Sequence, residues 1–109
     1  FNRGLILPDG ATVYIAYDGN APAANRIDVT GSITVQGKGT LNFVSVDNWA
    51  RGIAEIPVFH YDTLIGGANW ITLWRGVGLK GVSVRGAVDD QGNLLNAAFA
   101  PSGTILLLR

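Results

Sequence analysis

Apolar and polar residues alternate with period two along most of this chain, in short runs broken by Gly, Pro, Asn and Asp, the pattern of half-buried strands. Residues 31–46 carry it most clearly. Two strands, Ser32 to Gln36 and Thr40 to Val46, flank a Gly-Lys-Gly turn, with Ile33, Val35, Leu41, Phe43 and Val46 to one side and Val44 an ambiguous member. Thr12 to Tyr17 sets Val13, Ile15 and Tyr17 against Thr12, Tyr14 and Ala16. Further strands are expected over Leu5 to Leu7, Arg26 to Thr30, Ile56 to Tyr61, Trp70 to Trp74, Val82 to Val88, Leu94 to Ala100 and Thr104 to Leu108. Pro57 places the start of its strand at an edge or corner, because it has no N–H for a ladder. Pro8-Asp9-Gly10, Asp18-Gly19-Asn20 and Asp90-Gln91-Gly92-Asn93 read as turns, and Ala21 to Asn25 and Thr63 to Asn69 as loops. Asp47 to Glu55 is the sole helical turn expected. About ten strands recurring every 8–12 residues or so indicate a single all-β domain over residues 1–109, a β-solenoid or, alternatively, a β-sandwich.

The pattern in residues 31–46 also resembles the G-x-(I/L)-x-V-x-G-x-G-T-L-x-F repeat of β-solenoids in autotransporters and related bacterial surface proteins. Gly31, Ile33, Val35, Gly37, Gly39, Thr40, Leu41 and Phe43 carry the match. The resemblance implies a coil that leans on its neighbours and a scaffolding role at the bacterial cell surface.

Composition strengthens the case for association. In 109 residues, 48% are hydrophobic and 15% charged. A domain of this size leaves roughly a third or more of its unfolded surface exposed, so some of that apolar material faces outward unless a partner covers it. The formal net charge is zero, which removes the repulsion that keeps proteins apart. Scattered cations without a basic stripe argue against nucleic-acid binding. No apolar run approaches the 18 or so residues of a membrane span. There are no cysteines and no methionines. Disulfides and thiolate metal sites are therefore excluded, and a chain starting at Phe1 is expected to be a processed or excised polypeptide.

The candidate chemistry is sparse. His60 with Asp62 has the spacing of a base and its orienting carboxylate, yet alternation alone puts them on one face of a strand, and no nucleophile elbow accompanies them. Asp89, Asp90 and Asn93 around Gly92 offer oxygen ligands for a structural calcium ion, or an ordinary turn. No other cofactor is expected. Trp49, Trp70 and Trp74 suit stacking on sugar rings, or anchoring of a core. The expectation is a protein that is not an enzyme.

The apolar runs near the two ends draw more attention. Phe1, Leu5, Ile6 and Leu7 at one, and Ile105, Leu106, Leu107 and Leu108 at the other, are expected to form subunit interfaces. Uncapped solenoid ends expose backbone groups and apolar core, and a heterologous contact between them propagates as a fibre. The leading expectation is therefore a secreted structural subunit that polymerises head to tail into an extracellular filament, pilus-like or adhesive. The alternatives are the terminal domain of an autotransporter-like adhesin, closing with Gly103, Thr104, Ile105 and Leu107, or a glycan-binding module using exposed tryptophans.

Overall fold

The computed structural model describes residues 3–20, 26–47 and 55–101. Strands dominate, and the protein is all-β. In chain order the elements are β1 (Leu5–Leu7), β2 (Ala11–Asp18), β3 (Ile27–Asp28), β4 (Ser32–Val35), β5 (Gly39–Asp47), β6 (Glu55–His60), β7 (Thr63–Ile65), α1 (Gly67–Leu73), β8 (Trp74–Val77), β9 (Val82–Asp89) and β10 (Leu94–Pro101). They form a three-stranded sheet, β1-β4-β7, and a seven-stranded sheet, β2-β5-β8-β9-β10-β6-β3, which curls as a half-barrel.

The chain passes from the smaller sheet into the larger three times in the same sense. β1 leads to β2, β4 to β5, and β7 through α1 to β8. Each pass lies parallel on the next: Leu5 pairs with Ile33 and Ile33 with Leu64, while Ala11 pairs with Gly39 and Gly39 with Trp74. The corners stack as well. Gln36 N–H donates to Leu7 O at 2.9 Å and Gly10 N–H to Lys38 O at 2.8 Å. Asp9 Oδ1 accepts from Lys38 N–H at 3.0 Å, which ties the first corner to the second. Gly10 has φ of +84°, a value the turn needs and an L side chain resists.

The core follows the alternation. Leu7, Ile15, Tyr17, Ile33, Val35, Leu41 and Phe43 are buried, as their parity in the strands requires. Val44 is 59% exposed. Ile15 pairs with Phe43 and Ala16 with Ser45, so Val44 is the extra residue of a bulge and the inward parity resumes at Val46. A second register shift falls between Leu95 and Asn96, opposite Phe59 and Pro57, which seats the proline at a bulge. β6 lies between β10 and β3, and β3 reaches only Phe59 and His60.

Three expectations need correction. Trp70 to Trp74 is not a strand: residues 70–73 complete α1, and only Trp74 opens β8. A spacing of four puts both tryptophans on one face at either period, so alternation could not decide. Thr72 decides, because its Oγ1 donates to Ala68 O at 2.7 Å, four residues back, and it is exposed. Thr63 to Asn69 is not a loop, since β7 occupies Thr63–Ile65 and Gly66, with φ of +80°, is the helix N-cap. Arg26 to Thr30 narrows to Ile27–Asp28. The expected helical turn at 47–55 falls mostly on residues 48–54, outside the described residues, with Asp47 ending β5 and Glu55 opening β6. The loop at 21–25 and the strand at 104–108 also lie outside them.

Candidate functional site

The three passes leave the two ends of the stack unlike each other. At one end, β1 is the outer strand of the smaller sheet and β2 the outer strand of the larger. Neither has a second neighbour among the described residues. Both outer strands of the first pass thus lie at the same end of the molecule, where an outer strand offers its hydrogen-bonding edge. Beside it, Ile6 is 59% exposed, Leu5 half-buried and Leu7 buried. An open hollow of about 430 Å³ runs along β1 and β4, lined by Arg3, Gly4, Leu5, Ile6, Ser32 and Thr34.

At the other end β7 is likewise an outer strand of the smaller sheet, whereas at the corner and in the larger sheet polar side chains and a hairpin take over from the ladder. Where a third corner would stack on the second, α1 intervenes. Asn69 Nδ2 donates to Val35 O at 2.9 Å and Trp74 Nε1 to Gly37 O at 3.0 Å. Two side chains thus satisfy carbonyls that a further strand would otherwise have met. Trp70 Nε1 donates to Asn96 O at 3.0 Å and to Ala87 O at 3.1 Å, clasping α1 to β9 and β10. Trp70 and Trp74 stack with ring centroids 4.7 Å apart, and Phe59 meets Trp70 edge-on at 6.2 Å. β10 then pairs back onto β6 of the second pass.

Of the expected interface residues, the structure therefore places Leu5, Ile6 and Leu7 on an open edge, with Ile6 outward. Phe1, Ile105, Leu106, Leu107 and Leu108 lie outside the described residues, as do Gly103 and Thr104. Of the two roles expected for the tryptophans, Trp70 and Trp74 take core anchoring. Trp70 and Trp74 are 0% exposed, so neither can stack on a sugar; Trp49 lies outside the described residues.

His60 and Asp62 do not form a pair. Asp62 Oδ2 accepts from Gly31 N–H at 2.8 Å, while Asp62 N–H and Thr63 N–H donate to Gly31 O. The carboxylate is a corner tie between the second and third passes, and His60 serves the ladder through its carbonyl, which accepts from Val29 N–H. In the β9–β10 turn, Asp89 Oδ1 accepts from Gln91 N–H and Gly92 N–H, each at 3.1 Å, and Asn93 takes a φ of 54°. This is the hydrogen bonding of an Asx turn. Tyr61 is buried below it, and its N–H donates to Asn93 O. Burial pushes the Tyr61 phenol above its ordinary value, and the carboxylates of Asp90 and Asp89 push it further. No group of three or more metal-ligating side chains gathers among the described residues.

Sequence reasoning missed the capping role of Asn69 and the helix that carries it. The available signal was the Gly66-Gly67 pair that punctuates the chain before residue 68. No described helix is long and apolar enough to cross a membrane. Compared with family models, with characterised proteins and with solved structures, the chain matches none.

Proposed function

We propose that the protein is a non-enzymatic structural module, the closing end of a parallel β-solenoid, and that a further coil joins it through the outer strands β1 and β2. One observation carries this reading: in the larger sheet the first pass ends at the outer strand β2 while the third is continued by the antiparallel β9–β10 hairpin, with α1 at the corner; in the smaller sheet β1 and β7 are both outer strands. Parallel pairing supports a coil over a sandwich, whose sheets are antiparallel. The asymmetry of the larger sheet favours the terminal module of a longer surface assembly over a head-to-tail filament, which needs two complementary open ends. A place at the bacterial cell surface rests on the resemblance in residues 31–46 to autotransporter-like repeats.

An edge of this kind also meets its own copy. Two molecules joined edge to edge form a closed pair, because the covered ends then face away. Sedimentation velocity is expected to show a concentration-dependent dimer for the native chain. Ile6→Lys puts a charge beside the edge and removes an apolar contribution of about 1.5–3 kcal/mol per side chain buried in the pair, so this variant should remain monomeric with unchanged far-ultraviolet dichroism. Fibres in place of dimers would restore the filament reading. A native chain that stays monomeric at millimolar concentration would remove both.

A further inference from the structure

The outward face of the larger sheet carries an opposed pair of cations. Arg75 of β8 and Arg85 of β9 are register partners across an antiparallel ladder, and both are exposed. Opposed residues in such a ladder stand about 5 Å apart at Cβ, and like charges so placed repel. One carboxylate, Glu55, stands in the same row two strands beyond Arg85 through Ala98, and each of the acids has a partner or place of its own. Asp9, Asp18, Asp62 and Asp89 accept from backbone amides, Asp28 pairs with Arg26, and Glu55 accepts from Asn96. Asp47 closes the far end of β5 opposite Asp18, and Asp90 stands in the hairpin turn near Tyr61.

Arg75 is also held in place. Its Nη1 donates to Trp74 O at 2.7 Å and to Ile71 O at 3.5 Å. Its other N–H groups, and all those of Arg85, have no hydrogen-bond partner among the described residues. A fixed guanidinium beside a free one is a fork suited to a carboxylate or sulfate. The same outward row continues through Thr40 and Thr12. In the next outward row Asn42 lies between Val77 and Tyr14, the latter 67% exposed. Tyr14 is two strands from Arg75, about 10 Å across the sheet.

We propose that this face binds an anionic polysaccharide, with Arg75 and Arg85 holding an acid substituent and Tyr14 stacking on a sugar ring. Two cations on a neutral chain are too few for the repeating phosphates of a nucleic acid. Hydroxyl, amide and aromatic groups beside the arginines are what a sugar polymer needs. The inference is independent of coil stacking, because it uses the outward face of β2 and not its edge.

Affinity electrophoresis through polygalacturonate, heparin and uncharged dextran tests it, with sodium sulfate in calorimetry as the small-anion control. The native chain is expected to be retarded by at least one acidic polymer and not by dextran. Arg85→Gln should weaken retardation about tenfold, the paired Arg75→Gln and Arg85→Gln variant should abolish it, and Tyr14→Ala should weaken it. All of them should retain the native melting temperature within a few degrees. The proposal fails if neither acidic polymer retards the chain, if the arginine variants bind as the native chain does, or if sulfate binds while the polymers do not. Equal retardation by single-stranded DNA would also overturn it, in favour of unspecific charge attraction.

Discussion

Replacing Gly39 by alanine tests how the third pass is locked to the second. Gly39 opens β5 and is the register partner of Trp74. A Cβ built there falls on Cζ2, Cε2 and Cη2 of the Trp74 ring, far inside the 3.0 Å that real Cβ atoms keep. The ring has nowhere to go, since it is fully buried, stacked on Trp70 and anchored by its Nε1 to Gly37 O. Overpacking of this kind costs about 1–3 kcal/mol, and losing the indole hydrogen bond adds about 0.5–1.5 kcal/mol. Lower entropy of the unfolded chain returns about 0.4–1 kcal/mol. The balance is a loss of about 2 kcal/mol from a total of about 5–15 kcal/mol. With a urea dependence of about 1–2 kcal/mol/M, the denaturation midpoint should fall by about 1–2 M. The source of the loss can be isolated by repeating the substitution in Trp74→Phe, whose smaller ring vacates the contested space. There Gly39→Ala should cost far less, an interaction energy that a double-mutant cycle reads directly. An alanine variant as stable as the native chain, or an equal cost in both backgrounds, would refute the steric argument.

Two further outcomes follow from buried polar groups. The folded chain holds the Tyr61 proton more tightly than the unfolded chain does; the stabilisation is complete below about pH 10, the usual tyrosine value, and is lost as pH rises through the folded value. Denaturation midpoints should therefore fall more steeply above pH 10 in the native chain than in Tyr61→Phe, and parallel curves would refute this. Asn96, 8% exposed, donates to Glu55 Oε1 at 3.0 Å while its Oδ1 has no partner among the described residues. Asn96→Leu should match or exceed native thermal stability, since an unmet buried acceptor costs about 1–3 kcal/mol. Asn96→Asp, which sets two carboxylates together, should lose at least that much, and a native-like melting temperature would refute the assignment.

What the sequence made legible was parity, and what it hid was register. Alternation placed Ile33, Val35, Leu41 and Phe43 inward correctly, because a strand's two faces are fixed by local geometry alone. It also found the corner at Gly37-Lys38-Gly39 and the turn at 89–93, where glycine and short polar side chains serve local backbone needs. It could not show that Leu5, Ile33 and Leu64 stack, because a parallel ladder joins residues about thirty positions apart, and no short-range signal specifies such a pairing. The anion-binding pair escaped for the same reason: Arg75 and Arg85 become neighbours only once β8 and β9 are aligned. Tryptophan shows the same limit. The residue type suited sugar stacking or core anchoring, the spacing of Trp70 and Trp74 fits a strand and a helix equally, and the glycines opposite them are what place both rings in the core. Gly39 faces Trp74, and Gly86 faces Trp70, where a Cβ would strike the Trp70 carbonyl and ring. A large ring opposite a residue with no side chain is the mark of a filled core, and it ties these tryptophans to holding the passes together. Recognition is thus left to the outward rows, where Tyr14 and the two arginines remain uncovered.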